Sequence, residues 1–518
     1  MRIIFDIIYI FDAMQSNWLC VAWPLAATVW LFTSPLHLHY CLELRMYKNR
    51  FFTPSLTRLS VSFAAAAMLA ACASTGSGPQ FSKADDSFTG QVRVVDAPAV
   101  YAGNPVKLAG SNFKPGQEVQ FFYEGIAILP QAVVADAEGK FTTETAIPAG
   151  AEPGRHSVVV SATNPNAAQV FPLKISPQIA LSGEDQFSIV NQKLVTGLYQ
   201  SAYSPKNNVV FAAAAVGRPP VKESQLVKVS PDTLQVLQAV TPIQAPARKG
   251  PDGQEQPGGV FAVYGIAVDD ANGTVWVTNT RQNTIAVYRQ TDLALIKQFA
   301  PGEVGHGRDV AIDSQQGKAY VSTAFTPNIE VFSTTTLEKI GTIEPQSSIR
   351  GPNARPFGSM SLALDAASGK LFVVSGTGEV AVINTADDSV AKVFPVAGVN
   401  SSSGIAYDAS TNRIFVSSQG SDNVAIIDAD SGQTLNTVLV GAGSLNVAFD
   451  PVSKLAYTAN RGANTVTVLN SNGEIVANLD AGPMPNHISV GPNGSVYVVN
   501  KGQGANAESN NITRIQRK

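Results

Sequence analysis

The sequence predicts an all-β protein: an Ig-like β-sandwich followed by a seven-bladed β-propeller closed by an N-terminal strand. Three observations carry this. A short apolar strand built around one aromatic residue recurs seven times, centred on Phe211, Trp276, Tyr320, Phe372, Phe415, Tyr457 and Tyr497. A repeat of about 40 residues with several strands per unit is the signature of propeller sheets stacked around an axis. Several repeats are near-copies of one pentapeptide, as in Val275-Trp276-Val277-Thr278-Asn279, Ala456-Tyr457-Thr458-Ala459-Asn460 and Val496-Tyr497-Val498-Val499-Asn500. Ahead of the repeats, short alternating strands are punctuated by Lys114-Pro115-Gly116, Glu138-Gly139 and Glu152-Pro153-Gly154, the turn chemistry of a small sandwich.

From the N-terminus, residues 1–45 hold an apolar stretch, Trp18 to Phe32, that contains Pro24 and falls short of the roughly 20 residues needed to span a bilayer. They read as a misassigned extension ahead of a complete signal. That signal occupies 46–71: basic Lys48, Arg50 and Arg58, an apolar run from Leu59, and small residues at its end. Leu69-Ala70-Ala71-Cys72 resembles a bacterial lipobox, which implies lipidation of Cys72, and by the same resemblance Ala73 fits outer-membrane rather than inner-membrane retention; the expected location is the periplasm-facing side of the outer membrane. Residues 72–89, rich in Ser, Gly, Thr and Pro, read as a flexible tether. The sandwich is expected over 90–178, with strands at Gln91 to Val95, Pro105 to Ala109, Glu118 to Tyr123, Lys140 to Thr145, His156 to Ala162 and Val170 to Ile175.

The propeller is expected over 185–518. Its innermost strands align on a small central residue, Ala202, Ala267, Ala311, Ala363, Ala406, Ala448 and Ser489, because wedge-shaped blades crowd together at the axis. The first interval carries an insertion. The last unit has only three strands, ending at Asn511-Ile512-Thr513-Arg514-Ile515, so the stretch Gln186 to Asn191 is expected to supply the fourth and leave no exposed edge.

Composition narrows the function classes. The chain has 518 residues, 45 % hydrophobic and 14 % charged, with a net charge of -3, which argues against a generally basic nucleic-acid coat. Cys20, Cys41 and Cys72 are its three cysteines, so no disulfide or thiolate metal site can form in the repeats. The repeats hold two histidines, His306 and His487, too few for a histidine-rich copper site, and no phosphate loop or nucleophile elbow is present.

The pentapeptides, followed by Asn283-Thr284-Ile285-Ala286-Val287 or Asn464-Thr465-Val466-Thr467-Val468, resemble YVTN β-propeller repeats. Gly197-Leu198-Tyr199-Gln200, Val227-Lys228-Val229-Ser230-Pro231-Asp232 and Met484-Pro485-Asn486 are similar to the YncE-like group of periplasmic propellers. The resemblance covers about 185–518. It implies a non-enzymatic binder without cofactor, with single-stranded DNA as the ligand.

Connections from the fourth to the first strand, and from the second to the third, emerge at one end of the ring, the mouth. The alignment places Tyr199, Tyr264, Arg308 and Asn486 around it, with Asn446 and His487 one step farther in and Arg281 and Arg461 on its loops. Aromatic and basic side chains around a funnel can stack bases and meet phosphates. Capping residues of an unoccupied channel are the bland alternative. Basic and acidic residues nearly balance at the mouth, whereas the opposite end is markedly acidic, in part because Asp forms turns there. Two other classes remain open: a lactonase-like hydrolase, for which Asp309, Asn446, Asn486 and His487 form an incomplete metal set, and a scaffold for envelope proteins.

Overall fold

The computed structural model describes residues 83–250, 253–352, 354–502 and 509–518. The extension, the signal, Cys72 and residues 72–82 of the tether lie outside the described residues. Seven four-stranded antiparallel sheets follow one another, spanning 198–240, 266–298, 307–343, 359–395, 402–439, 444–480 and 485–517. They are numbered here as blades 1 to 7. In each, chain order runs from the innermost strand outward, and blade 7 is completed by Phe187–Lys193. That strand pairs antiparallel with Asn511–Arg517, in register from Phe187 opposite Arg517 to Lys193 opposite Asn511. The innermost strands contact one another in sequence, and that of blade 7 contacts that of blade 1, so the ring is closed.

The alignment made on the sequence coincides with the ladder register. Ala202 faces Phe211, Ala267 faces Trp276, and Ala311 faces Tyr320. Ala363 faces Phe372, Ala406 faces Phe415, Ala448 faces Tyr457, and Ser489 faces Tyr497. All seven aromatics are at most 2 % exposed. Each large ring fills the wedge where neighbouring sheets diverge, and each small partner admits its strand to the crowded axis. Seven clusters of the apolar core are each drawn from two adjacent blades, for example blades 6 and 7 around Tyr457 and Val496, or blades 2 and 3 around Trp276 and Val321, and a smaller one gathers Ala215, Val221, Val260, Ala262 and Tyr264.

The expected insertion between blades 1 and 2 holds a small hairpin, Arg248–Lys249 with Glu255–Gln256. At the acidic end, Asp269, Asp313, Asp408 and Asp450 each accept backbone N–H bonds two and three residues on, or two on plus nearby hydroxyls. These acids close the turns between first and second strands, which accounts for much of that end's charge.

Ahead of the ring, Gln91–Val95, Pro105–Ser111 and Phe141–Ala146 form one sheet. Ile126–Ala127, Glu118–Tyr123, Gly154–Thr163 and Ala167–Ile175 form a second, and Val133–Val134 also pairs with Glu118–Tyr123. Their facing sides bury Leu108, Val119, Phe121, Phe141 and Val160. The end of the expected tether is pinned to this sandwich: Asp85 binds Lys114 Nζ at 2.7 Å and Phe88 packs edge-on to Phe113. An aromatic and an acid inside a Ser/Gly-rich stretch were enough to anchor it.

Sandwich and ring form one compact unit. Asp422, between the second and third strands of blade 5, accepts from Lys174 Nζ (2.7 Å), Ser176 Oγ (2.7 Å) and Gly443 N (2.6 Å). Arg155 donates to Asn400 Oδ1 at 3.0 Å. The sandwich thus sits against the mouth-side loops of blades 5 and 6.

If the closing strand bears load, Phe187→Ala will weaken the ring, since Phe187 is 3 % exposed and packs edge-on to Tyr457 of blade 6. A loss of about 3–5 kcal/mol in denaturant unfolding is expected. A change below about 1 kcal/mol would mean the seam carries little of the stability.

Candidate functional site

The inner strands use their polar side chains first on each other. Gln200 Oε1 accepts from Ile266 N of the next blade (3.0 Å), Asp309 Oδ2 from Leu362 N (3.1 Å), Asn446 Oδ1 from Ile488 N (2.9 Å) and His487 Nδ1 from Ser201 N (3.3 Å). All four residues hold the same repeat position, and all four donors hold the position before the aligned small residue. The inner strand of one blade thereby satisfies a backbone N–H that faces its neighbour rather than its own sheet. Two other junctions have glycine at that position because there is no room for a side chain. A Cβ on Gly265 would lie 2.3 Å from Arg308 O, and one on Gly404 would lie 2.7 Å from Asn446 Cα.

Three of the expected ligand contacts are therefore committed elsewhere. The carbonyl of Asn446 and one ring nitrogen of His487 hold blades 6, 7 and 1 together. Asn486 Nδ2 donates to Tyr199 O at 2.6 Å and joins blade 7 to blade 1 in the same way. Burial, with Arg308 nearby, holds the His487 imidazole down to about 3, as suits a neutral ring whose Nδ1 must accept. The burial of Asp309 pushes its carboxyl up, against the hydrogen bonds from Leu362 and Val310 and the charge of Arg308.

The remaining five expected residues do come together, and with them Lys501. Tyr199 and Tyr264 meet edge to face, with ring centroids 5.0 Å apart. Lys501 Nζ lies 4.8 Å from the Tyr199 centroid and 5.9 Å from that of Tyr264. The Arg281 guanidinium lies 5.8 Å from the Tyr264 centroid, and its Nε donates to Tyr264 Oη at 3.4 Å. Arg308 and Arg461 are within electrostatic reach of each other, as are Lys501, Arg461 and Arg281. Burial, then Arg461 and Arg281, bring the Lys501 amine down to about 8. Burial lowers Arg461 as well, and Arg308 adds to the effect. Among the described residues, none of these four cations has a carboxylate within salt-bridge distance. Arg308 Nε is buried without a hydrogen-bond partner.

Lys501 follows the second strand of blade 7, and nothing in its sequence context shows that it leans over Tyr199 of blade 1 and Tyr264 at the entry to blade 2. Among the described residues, no group of three or more His, Cys, Asp or Glu side chains converges where it could hold a metal ion.

Closed ring, small-to-aromatic register and blade pentapeptides define the class, a seven-bladed β-propeller. No family model matches the chain. It is similar to the uncharacterized protein YncE of Salmonella typhimurium, 23 % identical over 341 residues, covering 63 % of this chain and 88 % of the relative. It is also similar to YncE of Escherichia coli strain K12, 24 % identical over 266 residues, covering 49 % and 68 %. A chain of Kuenenia stuttgartiensis hydrazine synthase matches in shape with a TM-score of 0.49 at 18 % identity, over 62 % of this chain and 96 % of that one.

If junction glycines are set by space, Gly265→Ala will push against the Arg308 carbonyl, an atom fixed in the backbone. A stability loss of about 1–3 kcal/mol is expected. An unchanged thermal midpoint would show that the junction can open to admit a methyl group.

Proposed function

We propose that the protein is a non-catalytic binding module of the bacterial envelope whose propeller mouth takes an extended polyanion, with single-stranded DNA as the leading ligand. The observation that carries this reading is the mouth cluster: Arg281, Arg308, Arg461 and Lys501 gathered around Tyr199 and Tyr264 without a carboxylate partner among the described residues. Like charges held together in a partly desolvated place repel one another, and an anion relieves that repulsion. Tyr199, half-buried, adds a face on which a flat base can stack beside the phosphates, and the buried Tyr264 backs it edge to face. Asp309, the nearest acid on the ring, has its carboxylate turned to the backbone of Val310 and Leu362 and offers an anion little opposition.

The test is a fluorescence-anisotropy titration with short oligothymidylate at several salt concentrations. Removing two phosphate contacts with Arg308→Ala and Arg461→Ala should lower affinity and flatten the log-log salt slope by about 1.4. The Lys501 amine is protonated below about 8 and neutral above, so raising the pH from 7 to 9.5 should weaken binding and remove roughly another 0.7 from the slope. Binding that survives the double substitution with its slope intact would reject this mouth.

The envelope part of the proposal rests on Leu69-Ala70-Ala71-Cys72 and the charged, apolar and small residues before it. In this reading a lipid on Cys72 holds the chain at the outer membrane on its periplasmic side, and the Ig-like sandwich spaces the ring from the lipid. Among the described residues, no helix is long and apolar enough to cross a membrane. Expressed in a Gram-negative host, the protein should partition into the detergent phase of a Triton X-114 extract and yield an acylated N-terminal peptide. Cys72→Ala should move it to the aqueous phase. Detergent partitioning that ignores the substitution would rule out a lipid on Cys72 as the anchor.

A further inference from the structure

The sandwich contains a feature that the mouth does not use. At one end, its two sheets part around a cleft of about 580 Å³. Its walls are aliphatic: Ile128, Ile147, Val158, Leu173 and Ile175, all but Ile128 at most 5 % exposed. A cleft of this size with apolar walls and a few polar groups at one end has the anatomy of a small-molecule site.

The polar end fixes the chemistry of an occupant. His156 Nε2 lies 2.9 Å from the backbone oxygen of Glu152, an atom that can only accept, so this nitrogen carries the hydrogen. In the neutral ring Nδ1 is then bare, and it accepts from Tyr123 Oη at 3.1 Å. The tyrosine has spent its one hydrogen on the imidazole, and its oxygen keeps lone pairs. Thr145 is in the same position, since its hydroxyl donates to Ile128 O at 2.9 Å. The lining includes one carboxylate, Glu152, and no lysine or arginine. This end therefore presents acceptors and negative charge.

We propose that the cleft binds a small, flat, apolar molecule that carries a hydroxyl or amine donor, with the donor on Tyr123 Oη and the apolar body against Val158 and Leu173. Anions of the same shape are opposed by Glu152 and find no lysine or arginine in the lining. The site lies wholly in the sandwich and does not depend on the ligand of the mouth.

The experiment compares three probes on the full chain by calorimetry and ligand-observed NMR: 2-naphthol, 2-methoxynaphthalene and 2-naphthoate. 2-Naphthol should bind roughly three- to tenfold more tightly than its methyl ether, the worth of one hydrogen bond, and the carboxylate should bind most weakly. Tyr123→Phe should bring 2-naphthol down to the affinity of the ether while leaving the ether unchanged. Val158→Trp, which fills the cleft, should abolish binding of both, and Tyr123→Phe remains decisive if the larger residue impairs folding. The proposal is overturned by no binding of 2-naphthol, by equal affinity for naphthol and ether, or by a preference that persists in Tyr123→Phe.

Discussion

No blade of this ring can bury its own surface. The seven aromatics of the second strands and the aliphatic residues around them sit in clusters that always belong to two sheets, so each blade completes its core on its neighbours. A row of such units left open would expose an apolar face at each end, with a free strand edge beside it. Closure is therefore a condition for the fold. The pairing of Phe187–Lys193 with Asn511–Arg517 meets it by joining the beginning of the ring to its end.

The same crowding determines where chemistry can occur. Near the axis the inner strands approach so closely that side chains either bond to the next blade, as Gln200, Asp309, Asn446 and His487 do, or are absent, as at Gly265 and Gly404. Little of the inner wall is free to address a ligand. The cations of the mouth come largely from outside that wall, Arg281, Arg461 and Lys501 from loops between second and third strands, with Arg308 at the start of an inner strand. Loops can carry charge without disturbing the junctions, and a mouth built from them can change while the ring stays as it is.

Much of the architecture was legible because it is periodic. The pairing of Ala267 with Trp276, or of Ala448 with Tyr457, is written into each repeat by a size contrast that only an axis and a wedge would require. The missing fourth strand was legible from counting. What periodicity cannot show is the direction in which a polar side chain bonds. Asn446 and His487 occupy the ring that the alignment placed at the mouth, yet their acceptors serve Ile488 N and Ser201 N, across gaps that appear only in three dimensions. The join between sandwich and ring was invisible for a related reason. Lys174 and Asp422 lie far apart in the chain, and neither sits in a motif.

That join has a mechanical meaning. The linker after the sandwich runs straight into the closing strand, so tension applied at the N-terminal side would otherwise peel the seam open one hydrogen bond at a time. Asp422 intercepts it by gripping Lys174 and Ser176 before the linker begins. Asn478 then holds the linker itself, through Ile179 O and a bridge to Ser182. Pulling forces are diverted into the flanks of blades 5 and 6, much as a cable clamp spares the solder joint behind it, and the closing strand stays unloaded.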